Sequence, residues 1–320
     1  MNAARRAAVL TPLAFLGAWL VLATVHRPGV AGQAGPVFWA AVAALWAVAA
    51  AALSGLANLT LKRPWARRAA DLAVPVLFGA FLFVLWEVIV VGAGVPSVLM
   101  PAPSAIAARF ASSLPVLRDD FVQTFVKAVL SGYAIGCGAG FAVAILADRV
   151  PFLRRGLLPL GNFVSALPVI GIAPIMVMWF GFDWPSKAAV VVVMTFFPML
   201  VNTVAGLAAA GRIEQDLMRS YAAGYWTTLL KLRLPVALPF IFNALKINST
   251  LALIGAIVAE FFGTPIVGMG FRISTEVGRM SLDMVWAEIA VAALAGSAFY
   301  GLIALIERAA TYWHPSYRAS

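Results

Sequence analysis

Eight stretches of this chain are long and apolar enough to cross a lipid bilayer, at about 9–25, 36–59, 72–95, 121–147, 158–180, 186–210, 240–262 and 284–306. A helix rises 1.5 Å per residue, so about 20 apolar residues cover the hydrocarbon layer and fewer than about 17 rarely do. Inside lipid the backbone must satisfy its own hydrogen bonds, which a helix does within one segment. Of the 320 residues, 63% are hydrophobic and 11% charged, against about 45–50% and about 25% in soluble domains. A soluble core cannot absorb that much apolar surface. The sequence therefore predicts an all-α integral membrane protein with eight transmembrane helices. Arg5 and Arg6 precede the first and shortest stretch, as in a signal peptide. No small-x-small cleavage site follows and a second stretch arrives soon after, so an uncleaved span is expected.

The formal charge of +10 suggests a nucleic-acid binder until the positions are read. Arg5, Arg6, Lys62, Arg63, Arg67, Arg68, Arg149, Arg154, Arg155, Arg212, Arg219, Lys231, Arg233, Arg308 and Arg318 fall on one side of the predicted spans. The other side holds Arg27, Arg109, Arg118, Lys187, Arg272 and Arg279. Positive residues concentrate in cytoplasmic loops, which places both termini and the 211–239 loop in the cytoplasm. The excess charge reads as topology, and nucleic acid is not an expected partner. Residues 60–71, with four basic residues and Pro64, form a seam. It divides 1–71, two bland N-terminal helices and a basic linker, from 72–320, which holds six spans. No internal repeat supports an inverted-repeat secondary transporter.

Catalytic patterns are missing. The two histidines, His26 and His314, lie at or beyond span ends, and Cys137 is alone. No HExxH helix and no G-x-x-x-x-G-K-[ST] loop occurs, so neither a metal site nor a phosphate cradle is expected in this chain.

Charges in hydrocarbon are costly and mark function or internal pairing. Four of them, Glu87, Lys127, Glu260 and Glu288, fall in the outer half of the bilayer. Glu87 lies about 12 Å and Lys127 about 9 Å inside their spans' outer ends, and the similar depths predict a structural ion pair between them. Lys246 is expected to snorkel from a span end. The fifth stretch is interrupted by Pro159, Gly161, Pro168, Gly171 and Pro174, each proline removing a backbone hydrogen bond. It lines a pathway or is a kinked packing helix. Pathway and gate candidates are Pro168, Pro174 and Met178, with Pro198, Asn202, Asn248 and Glu260. Gly132, Gly136 and Gly140 share one helix face and predict close packing within the fold.

The 211–239 loop is long and amphipathic. Ile213, Leu217 and Tyr221 recur every four residues, with Arg212, Gln215, Asp216 and Arg219 on other faces. Gly224 breaks the run, and Trp226, Leu229 and Leu230 begin a second short helix that Leu234-Pro235 and Leu238-Pro239 are expected to end. Such a helix-turn-helix lies on lipid or docks in a partner's groove.

The stretch DLMRSYAAGYWTTLLKLRLPVALP, from Asp216 to Pro239, resembles the cytoplasmic loop of ABC-importer permeases, whose pattern reads E-A-A, then G, then I-x-L-P. Aligned on Leu234-Pro235, Asp216 takes the Glu position and Leu217 and Met218 replace the alanines. Ala222 stands where the family has glycine, with Gly224 two residues on to serve the turn, and Leu232 takes the isoleucine position. WEVIVVGAGVPSVLMPAPSAI from Trp86, TFVKAVLSGYAIGCGAG from Thr124, LPVIGIAPIMVMWFG from Leu167, FFPMLVNT from Phe196, IVAEFFGTPIVGMGF from Ile257 and WHPSYR from Trp313 resemble the branch importing nitrate, sulfonates, taurine and pyrimidine precursors. The likeness covers about 72–318.

This resemblance implies a six-helix type I ABC importer core plus two N-terminal helices, a multi-pass subunit of the bacterial inner membrane. It implies a second permease copy, two cytoplasmic ATPase subunits and an extracytoplasmic solute-binding protein, with lipid around the whole. ATP and magnesium would sit on the ATPases, and this chain would bind no cofactor. Asp216, Leu217, Met218, Tyr221, Ala222, Gly224, Trp226, Leu234 and Pro235 would couple it to them. The other reading is an ion-coupled secondary transporter or channel, for which Glu87, Lys127, Glu260 and Glu288 lie too shallow to form a relay.

Overall fold

A computed structural model of the chain describes residues 3–27, 29–59, 63–165, 168–263 and 266–313, with side-chain surroundings from residue 9 onward except at 158, 162 and 165. The side chains of Arg5 and Arg6, together with Lys62, Leu167, His314 and Arg318, lie outside the described residues. So do the start of the basic seam at 60–62 and the terminal motif beyond Trp313. The described residues form helices α1 (Ala3–Val25), α2 (Pro36–Ala57), α3 (Pro64–Gly92), α4 (Pro103–Ser112), α5 (Leu114–Arg149) and α6 (Pro151–Ser165). There follow α7 (Val169–Phe180), α8 (Trp184–Ala208), α9 (Arg212–Ser220), α10 (Tyr225–Glu260), α11 (Met269–Gly278) and α12 (Leu282–Ala310). Proline opens many of them, where its missing N–H belongs to the unpaired first turn in any case: Pro36, Pro64 and Pro185 occupy such positions.

Helices α2, α3, α5, α8, α10 and α12 are long and apolar enough to span a membrane, and Val9–Val25 and α7 are shorter apolar helices. Each predicted span thus coincides with helix, except that the fifth is divided. The expected continuous segment at 158–180 is replaced by α6, which begins earlier at Pro151, and by α7. Pro168 stands between them in an extended conformation, φ −68° and ψ 124°, at the cap of α7. A proline ring clashes with the carbonyl four residues back and donates no bond, so the break falls here, while Pro159 and Pro174 are carried inside their helices.

By contacts the chain groups into residues 1–112 with 280–284, and 113–279 with 285–320. In the first unit α1, α2 and α3 meet through Ala14, Ala18, Val21 and Val25, through Val42, Leu45, Ala49 and Ala52, and through Phe81 and Val88. The three- and four-residue spacings put each set on one helix face. Contact therefore joins α3 to the N-terminal pair, a grouping distinct from the division at 71/72 that the charge seam suggests.

In the second unit the glycine stripe of α5 lies on α8. A Cβ at Gly132 would stand 2.6 Å from Val191 Cβ, and one at Gly140 would stand 2.5 Å from Phe196 O. Lipid gives helices no hydrophobic reason to associate, so close van der Waals approach of this kind holds them. Phe299 of α12 packs edge-on against Phe125 and Tyr133 of α5, with ring centroids 5.6 and 4.8 Å apart.

Candidate functional site

Helix α9 has no buried residue. Ile213 is 83% and Tyr221 77% exposed, and Leu217 and Trp226 are also largely open. Asp216 pairs with Arg219 of its own helix, at 3.1 Å in the open, and Met218 is half-buried. The helix ends in a hydrogen-bonded cap: Ala223 N–H donates to Met218 O at 3.0 Å and Ala222 N–H to Arg219 O at 2.9 Å. This is the pattern in which the residue past the helix end turns left-handed, a position glycine usually fills. Ala222 fills it, with φ +52°. Gly224, expected to serve this turn, instead caps α10 at φ −70° and ψ 171°, a conformation any residue adopts.

A second correction concerns Leu234-Pro235 and Leu238-Pro239, which do not end the helix before the seventh span. Helix α10 runs unbroken from Tyr225 to Glu260. At Leu229–Arg233 its turns widen, and Leu234 N–H donates to Leu229 O, five residues back. A widened turn is a common way to accommodate a local irregularity without ending a helix.

Sequence reasoning missed what secures this element. The Arg233 guanidinium forks onto Asp148, at the end of α5, with Nη1–Oδ2 and Nη2–Oδ1 both 2.7 Å. The two side chains are 16% and 4% exposed. Arg233 Nε donates to Leu207 O at 3.0 Å, and the Tyr225 hydroxyl donates to Asp148 Oδ2 at 3.0 Å. Arg149 lies over the rings of Tyr225 and Trp226, 5.6 and 5.9 Å from their centroids. In the sequence Arg233 counts only as a topology charge. An acid and a base at the ends of two spans are the available signal.

The intramembrane candidates have separate environments. Asn248 is buried and donates to Thr195 O at 2.8 Å and Cys137 Sγ at 3.2 Å. Asn202 donates to Pro198 O of its own helix at 2.8 Å. Buried Glu260 accepts from Thr124 Oγ1 and from Gly270 N–H, both at 2.7 Å, and so holds the start of α11. Met178 is 82% exposed, Pro168 is exposed, and Pro174 and Pro198 are half-buried. Beside Met178, an open apolar groove of about 470 Å³ is lined by residues including Met176, Trp179, Phe180, Trp184 and Ala188; it offers a polar solute no partner.

Glu87 and Lys127, predicted to form an ion pair, each have partners within their own unit. Glu87 accepts from Ser104 N–H at 2.9 Å and from the Ser104 hydroxyl at 2.6 Å, and its Oε1 lies 3.1 Å from His26 Nε2. Lys127 donates to Gln123 Oε1 at 2.9 Å, one turn away on its own helix. Matching depth does not fix which way a helix faces. Lys246, expected to snorkel, is bound to Glu307 at 2.6 Å.

Glycine-stitched apolar helices carrying an exposed amphipathic loop define a polytopic membrane protein. Residues 132–315 match the model of the binding-protein-dependent transport system inner membrane component. The chain is 32% identical over 243 residues to the formylaminopyrimidine transport permease protein ThiX of Halalkalibacterium halodurans, covering 75% of this chain and 95% of that one. It is 30% identical over 237 residues to the riboflavin transport system permease protein RibX of Chloroflexus aurantiacus, covering 73% and 88%. The putative aliphatic sulfonates transport permease protein SsuC of Bacillus subtilis is 28% identical over 75% and 87%. The chain belongs to the family of binding-protein-dependent transport system inner membrane components. It is a permease subunit of an ABC transport system.

Proposed function

We propose that this permease imports a nitrogen heterocycle of the pyrimidine-precursor kind, in preference to a sulfonate, taurine or nitrate. The observation that carries this reading is the 32% identity extending over 95% of the formylaminopyrimidine permease, with the riboflavin permease, also for a heterocycle, at 30%. The chain works as one of two copies in the bacterial inner membrane, with both termini in the cytoplasm. A solute-binding protein delivers the substrate from outside, and two ATPase subunits hold ATP and magnesium.

The 211–239 loop is the coupling element. Leu217, Met218, Tyr221 and Trp226 enter a groove on the ATPase, and Asp216 sits at its rim. Ala222 and Gly224 shape the turn between α9 and α10, and Leu234 and Pro235 carry the loop into the membrane helix. The exposure of these apolar side chains supports this, since burying an aromatic anchor is what a docking surface gains from. A helix lying on lipid favours a basic polar face, whereas α9 mixes Glu214 and Asp216 with its arginines.

The test is calorimetry on the cognate binding protein with formylaminopyrimidine, riboflavin, taurine and nitrate as probes. Binding of a heterocycle alone is expected. Binding of taurine or nitrate alone overturns the substrate reading and leaves the permease assignment intact.

A further inference from the structure

A coupling element at 211–239 needs a mechanical route into the membrane helices. Resting on that role for the loop, we propose that Asp148 and Arg233 are positioning residues that pass its movement to α5.

Three helices meet at one guanidinium. Arg233 belongs to the first turns of α10, Asp148 to the last turn of α5, and Leu207, whose carbonyl takes the third donor, to the last turn of α8. All three guanidinium nitrogens are therefore in use. A fork bonded to both carboxylate oxygens fixes direction as well as distance, which a single contact does not. The Tyr225 hydroxyl adds a bond to the same carboxylate, and Arg149 covers Tyr225 and Trp226. Trp226, which would seat in the ATPase groove, and the side chains that grip α5 thus belong to one continuous helix. The pair is nearly closed to solvent, so parting it would strand an uncompensated charge. The helices move together instead. Upward of the clamp, the glycine contacts from Gly140 to Gly132 keep α5 against α8, so what the clamp transmits is carried along the seam.

A structural role alone makes a different prediction. Replacing both partners by neutral groups of like shape relieves the desolvation cost and leaves stability nearly unchanged, but it loses the directional fork. The experiment uses the full complex with its ATPase subunits in lipid nanodiscs. Nitroxides at cysteines replacing Leu130 on α5 and Leu302 on α12 report the distance between those helices; the native Cys137 is buried and stays unlabelled. Pulsed electron resonance compares the nucleotide-free complex with one trapped by Mg-ATP and vanadate.

The unsubstituted complex is expected to change distance on trapping. The double variant Asp148→Asn/Arg233→Gln is expected to retain its ATPase subunits and basal hydrolysis while the change falls to about half or less. Asp148→Asn alone, which leaves Arg233 without its carboxylate, lowers the yield of folded protein. An undiminished change in the double variant overturns the proposal, and so does the absence of any change in the unsubstituted complex. The assignment of the loop fails separately, if Leu217→Asp leaves the ATPases bound.

Discussion

Gly136 of α5 lies directly against Thr195 of α8. A Cβ added at Gly136 would run into the Thr195 hydroxyl and would stand 2.9 Å from Val192 O. Thr195 cannot give way freely, because its hydroxyl also donates to Val191 O at 2.8 Å. Gly136→Leu should therefore part α5 from α8 and cut the yield of folded protein severely. Gly138 has open space around its Cβ position, so Gly138→Ala should stay within about 0.5 kcal/mol of the parent. Thermal unfolding in detergent followed by size exclusion compares the two.

Ala222 holds a left-handed conformation that costs an L-residue about 1–2 kcal/mol. Ala222→Gly removes that cost and adds about 0.5–1 kcal/mol of unfolded-state entropy, so the loop is expected to become slightly more protease-resistant. Ala222→Val, branched at Cβ and forced to φ +52°, should open it. Limited proteolysis of the 211–239 segment reads both.

Leu217→Asp and Tyr221→Asp should leave the permease folded, since both side chains already face outward, yet release the ATPase subunits. At about 25 cal/mol per Å² of apolar area, a few such anchors contribute several kcal/mol of docking energy. Co-purification of ATPase with tagged permease is the measurement, and full retention in both variants would remove the loop from the coupling role.

Double-mutant cycles distinguish the observed partner of Glu87 from the one expected from depth. Glu87→Ala and Ser104→Ala should couple, because Ser104→Ala removes the hydroxyl that donates to the buried carboxylate at 2.6 Å, while the backbone N–H at position 104 stays. Glu87→Ala and Lys127→Ala should add within about 0.5 kcal/mol. His26 is half-exposed, and its replacement should cost less than that of Ser104.

Asp183 caps α8 with an oxygen that accepts from Trp184 N–H and from the Gln123 amide, each at 2.7 Å. These bonds hold its carboxyl below the ordinary carboxylate value. A carboxyl lowered on folding stabilises the protein above its unfolded value of about 3.9 and ceases to do so as pH falls through its folded value. The difference in melting temperature between the parent and Asp183→Ala should thus be constant near neutrality, at about 1 kcal/mol of cap energy, and vanish in strong acid.

Length and hydropathy locate the helices well, because the bilayer imposes one number on every span. The glycine stripe is legible for a similar reason: a four-residue spacing has only one geometric consequence on a helix. Partners across the bundle are not. Depth follows from residue count, but the direction a side chain faces depends on how the helix is rotated among its neighbours, so depth matches Glu87 with Lys127 and leaves Ser104 and His26 unseen. Asp148 and Arg233 are 85 residues apart, and nothing local announces that they meet. Proline is ambiguous too. Pro235 and Pro239 lie within continuous helix, while Pro168 stands at the cap of one, and the widened turn that precedes Pro235 has no residue signature.

The brevity of α7 has a dielectric consequence. Twelve residues reach about 18 Å, against a hydrocarbon layer of about 30 Å. The helix begins at Val169 with no side-chain cap; Gly171 N–H donates to Pro168 O at 2.9 Å, and where a short helix of this kind starts within the hydrocarbon, lipid supplies no acceptor for its other first N–H groups. Protein oxygens or water must therefore reach them. Wherever water does, the insulating layer is thinner than the bilayer around it, and the membrane voltage falls across the part that stays dry. A charged solute crossing a layer thinned in this way would meet its electrical work compressed into that short distance.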